Sequence, residues 1–321
     1  MRRFIFPRSQ SIVGLDIKTH EVRIILLRRT KRMLIVEKMD ILDLPLGVIK
    51  EDKIQSPDQV AKHLHLLVQR LKIENYPTAI ALPIQSVIVK RIHLMKEISQ
   101  KKIDRVIEEN ISRYFPGMTQ ELCYDYAILP FVDVLHNTAL LVATRHEQLN
   151  DYITVIERAG LSIKIVDVDI YALARAMTVA TAKECASSFV AMLDVSRCTT
   201  QCDVSTYTAQ FIVFNSDDIL FHQQFYYHDI NMFYNKLKNA VHLCHSTHPL
   251  VKMNTLYFSG NAENMLSIIE NVKQHIGMHV QYVNLFPSVI FSPSIPIEKI
   301  QILSPKMMQS FGLALRKIPQ W

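Results

Sequence analysis

Two aspartates are placed where they could do chemistry. Asp16 closes the apolar run in "SIVGLDIKTHEVRII", and Asp194 closes the one in "AMLDVSRCTT". A carboxylate at the end of a buried strand, beside a polar turn, can hold magnesium through water, because that ion keeps several waters and needs only one or two carboxylates. The same placement suits an aspartate that caps its own turn by accepting backbone N–H groups. The residues alone leave both readings open.

The groups that could serve a nucleotide lie near these aspartates. They are Lys18 and Thr19 after Asp16, Ser196, Thr199 and Thr200 after Asp194, and Gly260 and Asn261 in the later stretch "FSGNAEN". Lys18 reads either as a point charge for phosphate or as a polar turn residue that denies the backbone a close approach. Glu21 would meet a phosphate with like charge. Only seven glycines occur, all isolated, and neither GxGxxG nor GxxxxGK[ST] is present. Phosphate cradles need glycine, because the backbone must reach positive φ and approach the ligand without a Cβ. The expectation is a degenerate nucleotide site with ATP and magnesium as its only candidate cofactors and no residue for hydrolysis.

Other candidate chemistries are weaker. "HLCHSTH" brings His242, Cys244, His245 and His248 close together at a helix end, where they read as a metal cluster or as capping and solvent-facing groups. No paired CxxC or HxxxH accompanies them, so no metal site is assigned. No nucleophilic triad can be assembled from spacing. The five cysteines are scattered and odd in number, as expected of reduced thiols.

The elements that must position Asp16 and Asp194 come from the hydrophobic periodicity. With 49% hydrophobic and 21% charged residues, the chain is globular. Its longest apolar runs fall well short of a membrane span, and its start lacks the apolar core of a signal peptide, so a cytoplasmic location is expected. The net charge of +6 is dispersed, with "RRTKR" at a hairpin tip, which argues against nucleic acid and allows an acidic membrane surface.

Three strands, "SIVGLD", "EVRIILL" and "MLIVEKMDIL", precede a helix "SPDQVAKHLHLLVQRLKI" with Ser56 as N-cap and Pro57 at its first position, and then the strands "TAIAL" and "SVIVKRIHL". From residue 188 the order strand, strand, strand, helix, strand returns, so the chain reads as two related halves. The first half covers 1–95 with 166–187, an inserted subdomain 96–165, and a reduced second half 188–321. Gly312 and the alanines Ala172, Ala174, Ala176 and Ala314 would let the helices "VDVDIYALARAMTVA" and "MMQSFGLALRKI" pack closely where the halves meet.

Two such halves, each with an Asp at its first turn, describe the duplicated α/β fold of actin, Hsp70 and sugar kinases, built on a ribonuclease H-like unit. More specifically, the sequence resembles the PilM family of type IV pilus assembly proteins and, more distantly, the division protein FtsA. The resemblance is carried by "SIVGLDI", "TAIALPIQSVIVKRIHL", "IEENISRYFPG", "LVATRHEQLNDYITVIERAGLSIKIVDVDIYALARA", "AMLDVSRCTT" and "SFGLALRK", and is strongest from 77 to 177.

It implies an actin-like fold with an inserted subdomain and a trimmed second lobe. It further implies a scaffold at the cytoplasmic face of the inner membrane that works with other pilus alignment-complex and motor proteins. The implied partner is the N-terminal tail of a PilN-type membrane protein, held in a groove bordered by the inserted subdomain. The matching stretches "KRIHL" and "SRYFPG" supply Arg91, Arg113, Tyr114, Phe115 and Pro116, and "CYDYAIL" adds Tyr124 and Tyr126. Arg and aromatic residues are the types enriched at interface hot spots; Tyr114 and Phe115 read equally well as the core face of their helix.

Overall fold

The computed structural model describes residues 11–50, 53–95, 99–117, 121–129, 136–181, 189–199, 205–215, 218–260, 265–283, 285 and 289–317. The elements of the first half are β1 (Ser11–Ile17), β2 (Glu21–Arg29), β3 (Leu34–Asp43), the short pair β4 (Ile49–Lys50) and β5 (Lys53–Ile54), α1 (Pro57–Leu71) and β6 (Pro77–Leu82). Next come β7 (Ile88–Met95), α2 (Gln100–Tyr114), β8 (Leu122–Leu129), β9 (His136–Arg145), α3 (His146–Arg158), β10 (Ser162–Val168) and α4 (Asp169–Ala180). The second half holds β11 (Val190–Thr199), β12 (Ser205–Phe214), β13 (Ile219–Tyr227), α5 (Ile230–Thr247), β14 (Thr255–Gly260), α6 (Met265–Ile276) and β15 (His279–Tyr282). It ends with β16 (Ile290–Phe291), α7 (Ile297–Leu303), a 3₁₀ turn over 304–307 and α8 (Met308–Ala314).

The two large sheets repeat one plan. One has the order β10-β6-β1-β2-β3-β16 and the other β15-β14-β11-β12-β13. In each, three antiparallel strands lead through a helix to a strand lying parallel beside the first, β6 on β1 and β14 on β11. This is the duplicated actin-like architecture. β1 and β2 are buried along almost their whole length, as expected of central strands covered on both faces. α1 turns Val60, Leu64, Leu67, Val68 and Leu71 inward on one stripe. Ser56 does precede it, but its side chain makes no capping hydrogen bond; Pro57, which has no N–H to satisfy, sits at the helix start.

α8 lies against both β1 and α4, and small residues make this possible. A Cβ on Gly14 would stand 1.8 Å from the Ser310 carbonyl oxygen, and one on Gly312 would stand 1.8 Å from that of Ala172. Both approaches are backbone to backbone, so no side chain could yield. The close packing expected of Gly312 and Ala172 is therefore present.

The chain divides into two compact units, and the smaller runs from Leu82 to Thr154. It contains a three-stranded sheet of order β7-β9-β8. α2 covers one of its faces, packing Ile103 and Ile107 on Ile92, Leu94, Ala139, Leu141 and Ala143. β7 thus pairs with β9 rather than extending the large sheet that ends its strand order at β10.

Candidate functional site

The repeated register sets the positions of the two aspartates. Asp16 lies opposite Arg23 on β2. Asp194 lies between Gln210 on β12 and Ser259 on β14. Both carboxylates are buried, so each must find partners inside the protein.

Asp16 is surrounded by charge. Its Oδ1 accepts a hydrogen bond from Gln309 Nε2 at 2.8 Å and lies 3.6 Å from Lys18 Nζ, while its Oδ2 lies 3.8 Å from Arg23 Nη1. Gln309 completes a bridge, because its Oε1 accepts from Lys18 Nζ at 2.6 Å. The Lys18 side chain keeps 17% of its surface, whereas that of Arg23 keeps only 1%. Arg23 also donates through Nε to Glu21 Oε1 at 2.6 Å and through Nη1 to the Lys306 carbonyl at 2.8 Å.

Burial pushes the Asp16 carboxyl above its ordinary value, against the opposing pull of Lys18 and Arg23. Burial works to lower Lys18, but the carboxylates of Asp16 and Asp194 outweigh it and hold the ammonium above its usual range. For Glu21 the attraction and hydrogen bond of Arg23 overcome burial, so its carboxyl falls below the usual range. Glu21 is thus engaged with Arg23 and does not lie open to a phosphate.

Asp194 has a neutral hydrogen-bond partner and also lies within the field of the cations beside Asp16, since its carboxylate helps hold the Lys18 ammonium above its usual range. Its Oδ1 accepts from the Ser259 hydroxyl at 2.5 Å. The neighbouring Gln210 turns its amide to Asp169 Oδ2 at 2.8 Å. Gly260 follows at the end of β14 with φ of +95°, and an added Cβ would stand 2.0 Å from the Val195 carbonyl oxygen. That glycine is required by the packing of β14 on β11, whatever the site binds.

The expected second phosphate turn is corrected. β11 continues five residues past Asp194, so Ser196 pairs opposite Thr208 and Thr199 opposite Ser205 as rungs of a ladder, with no turn at these positions. Pairing with β12 takes up alternate backbone N–H groups of this stretch, so they are not gathered as a turn would gather them. Thr19 sits in the short turn that joins β1 to β2. Thr200 and Asn261 lie outside the described residues. Gln309 and Lys18 take Oδ1, and Oδ2, which makes no hydrogen bond, faces the Arg23 guanidinium at 3.8 Å. A hydrated magnesium would meet two cations already beside the carboxylate, so the residues around Asp16 do not fit the ion.

Sequence reasoning overlooked Arg23, Gln309, Ser259, Gln210 and Asp169. Arg23 alone left a signal, as a lone cation in the otherwise apolar "VRIILL". "HLCHSTH" is split by helical geometry, with Cys244 buried in the core of the second half and His242 and His245 exposed.

In the smaller unit the expected peptide anchors separate into three environments. Phe115, 2% exposed, packs in the core with Ile103 and Ile107, so in this structure it is a packing residue. Lys90 spans the end of α2, donating to the Tyr114 carbonyl at 2.5 Å with its ammonium 5.5 Å from the Phe115 ring centroid. Tyr124 and Tyr126 share the α2 face of the sheet with Lys90, since Lys90 and Tyr126 both lie opposite Leu141. The Tyr126 hydroxyl donates to the Asp104 carboxylate on α2. Burial, then Glu108 and Asp104, push the Tyr124 phenol upward. Arg113 and Pro116 are exposed at the end of α2 and Tyr114 is half-buried. Arg91 lies opposite Leu140, on the other face of the sheet.

The family described as type IV pilus assembly protein PilM matches residues 14–237. The solved PilM–PilN type IV pilus biogenesis complex superimposes with a TM-score of 0.73 at 16% identity, covering 98% of this chain and 100% of that one. More remote likenesses are a Bacteroides thetaiotaomicron protein with an actin-like ATPase fold and the cytoplasmic domain of EpsL from the Vibrio cholerae type II secretion system. The first has a TM-score of 0.47 at 9% identity, covering 88% of this chain and 93% of that one. The second has 0.41 at 10%, covering 94% and 95%.

Proposed function

The chain belongs to the PilM family of type IV pilus assembly proteins, and from that premise we propose that it is a scaffold of pilus biogenesis that holds the N-terminal cytoplasmic tail of a PilN-type inner-membrane protein and does not turn over nucleotide. The observation that carries this reading is the internal bridging of Asp16 by Gln309, Lys18 and Arg23. A nucleotide-driven protein would need that carboxylate available to hydrated magnesium. Tail capture is supported by a match that spans the whole chain solved in a complex of PilM with PilN.

In this reading the inserted subdomain, expected over 96–165, contributes the peptide-binding surface. Arg91 serves one face of its small sheet; Arg113, Tyr114, Pro116, Tyr124 and Tyr126 serve the α2 side. No helix among the described residues is long and apolar enough to cross a membrane, which accords with attachment to the cytoplasmic face of the inner membrane through the partner. Other pilus alignment-complex and motor proteins would dock on the same scaffold. The rival reading, in which ATP controls capture, draws on the pairing of Asp16 and Asp194 at matching strands.

Fluorescence anisotropy with a labelled PilN-type tail should give saturable binding, and Arg91→Ala should weaken it about 30-fold, the effect of losing a ~2 kcal/mol anchor. A tail that fails to bind the wild type overturns the capture reading. Calorimetry with Mg-ATP should show no heat; a micromolar Kd would establish the ATP-controlled rival.

A further inference from the structure

The buried carboxylates of Asp16 and Asp194 lie near enough to repel one another, and two like charges buried together require positive charge beside them. Here the chain supplies it from its own first strands. Lys18 follows Asp16 by two residues and Arg23 lies opposite it across the β1–β2 ladder, and both cations also reach the C-terminal segment: Lys18 through Gln309 and Arg23 through the Lys306 carbonyl. Two further arginines of the first half hold the same segment by its backbone. Arg29 donates to the Leu315 carbonyl at 2.5 Å and Arg175 to that of Gly312 at 2.9 Å. The same segment also meets the second half, where its 3₁₀ turn lies against β14.

We propose that Lys18 and Arg23, bridged by Gln309, take over the charge-neutralising task of a divalent cation at the paired aspartates and latch residues 304–315 onto β1 and β2, so that the two halves stay closed without any ligand. The inference rests on the reading that the nucleotide site is lost, and it adds a function for what replaced it. Ligand-gated closure needs a site whose charge changes when the ligand leaves. A tethered ammonium and guanidinium cannot leave, so the closed arrangement is permanent. Charged hydrogen bonds in a buried setting are also the strong ones, and removing one partner leaves the other uncompensated.

The test compares wild type, Lys18→Ser and Lys18→Met by thermal unfolding in magnesium chloride and in sodium chloride of equal ionic strength, with and without ATP. Wild type should be indifferent to magnesium. Lys18→Ser, which opens space beside Asp16, should melt about 5 °C lower and regain part of that loss in millimolar magnesium. Lys18→Met, which fills the space without charge, should melt lower and regain nothing. A Lys18→Ser protein that melts like wild type and ignores magnesium overturns the latch while the loss of the nucleotide site stands; a wild type stabilised by Mg-ATP overturns both. Should Lys18→Ser fail to fold, Gln309→Ala keeps both charges and removes only the bridge. Proteolysis within 304–317 should then be about 10-fold faster than in wild type, equivalent to ~1.4 kcal/mol of lost closure, and an unchanged rate overturns the proposal.

Discussion

The two halves of this protein bury an aspartate at the same place in the same sheet plan and satisfy it in different ways. Asp16 in the first half is met by Lys18, Arg23 and the Gln309 bridge. Asp194 in the second half accepts a hydrogen bond from the neutral Ser259 hydroxyl and feels Lys18 and Arg23 through their field. The comparison teaches that a duplicated fold fixes where a carboxylate sits without fixing its chemistry. One copy lies in direct reach of two cations that also hold the C-terminal segment, and the other takes a hydrogen bond from a neutral hydroxyl within the field of those same cations.

The largest effect that could break this contrast is at Arg23. Arg23→Met leaves Glu21 and Asp16 buried without their shared guanidinium, and the loss expected in chemical denaturation is about 3–5 kcal/mol. Adding Glu21→Gln should recover much of it, because the most directly paired charge is then removed as well. A loss below about 1 kcal/mol for Arg23→Met would mean that the first half is no more dependent on charge than the second.

Ser259→Ala is the matching change in the second half. It removes one hydrogen bond to a charged group, so a loss of about 1.5–3 kcal/mol is expected in the same measurement. A loss as large as that of Arg23→Met would erase the distinction between the two sites.

The smallest effect concerns acid. In the second half, burial pushes the His222 imidazole down to about 4, and its Nε2 has no hydrogen-bond partner. A folded value below the usual 6.5 means that both states are neutral above 6.5 and that stability is lost as pH falls from there toward 4, because the unfolded chain takes up the proton first. Between pH 7 and pH 5 wild type should lose about 1–2 kcal/mol more than His222→Gln. In the first half, Glu21 is held below its ordinary 4.5, so its contribution is present above that value and is lost only as pH falls further. Equal pH slopes for wild type and His222→Gln between 7 and 5 would show that the second half does not yield first.

Much of the molecule was legible from the chain alone. The alternation of apolar strands, the order strand, strand, strand, helix, strand repeated from residue 188, and the "GLD" and "MLD" stretches led to the duplicated fold, because sheet faces and helix stripes are written in local periodicity. Neither GxGxxG nor GxxxxGK[ST] occurs, so no glycine-rich phosphate loop could be assigned, since positive φ and close approach depend on the residue itself. The small residues Gly312 and Ala172 foretold a tight helix contact.

What the sequence left undecided depends on distance in three dimensions. Lys18 read as a phosphate ligand or as a turn residue, and no local pattern showed that Gln309, 291 positions away, bridges it to Asp16. Ser196 and Thr199 read as turn donors because the length of a hairpin is set by pairing with β12, which local pattern does not encode. Phe115 and Tyr124 are both aromatic, yet only the packing of α2 on the small sheet made the first a core residue at 2% exposure and left the second 39% exposed. Periodicity tells a residue which face it occupies; only the assembled chain tells it what stands opposite.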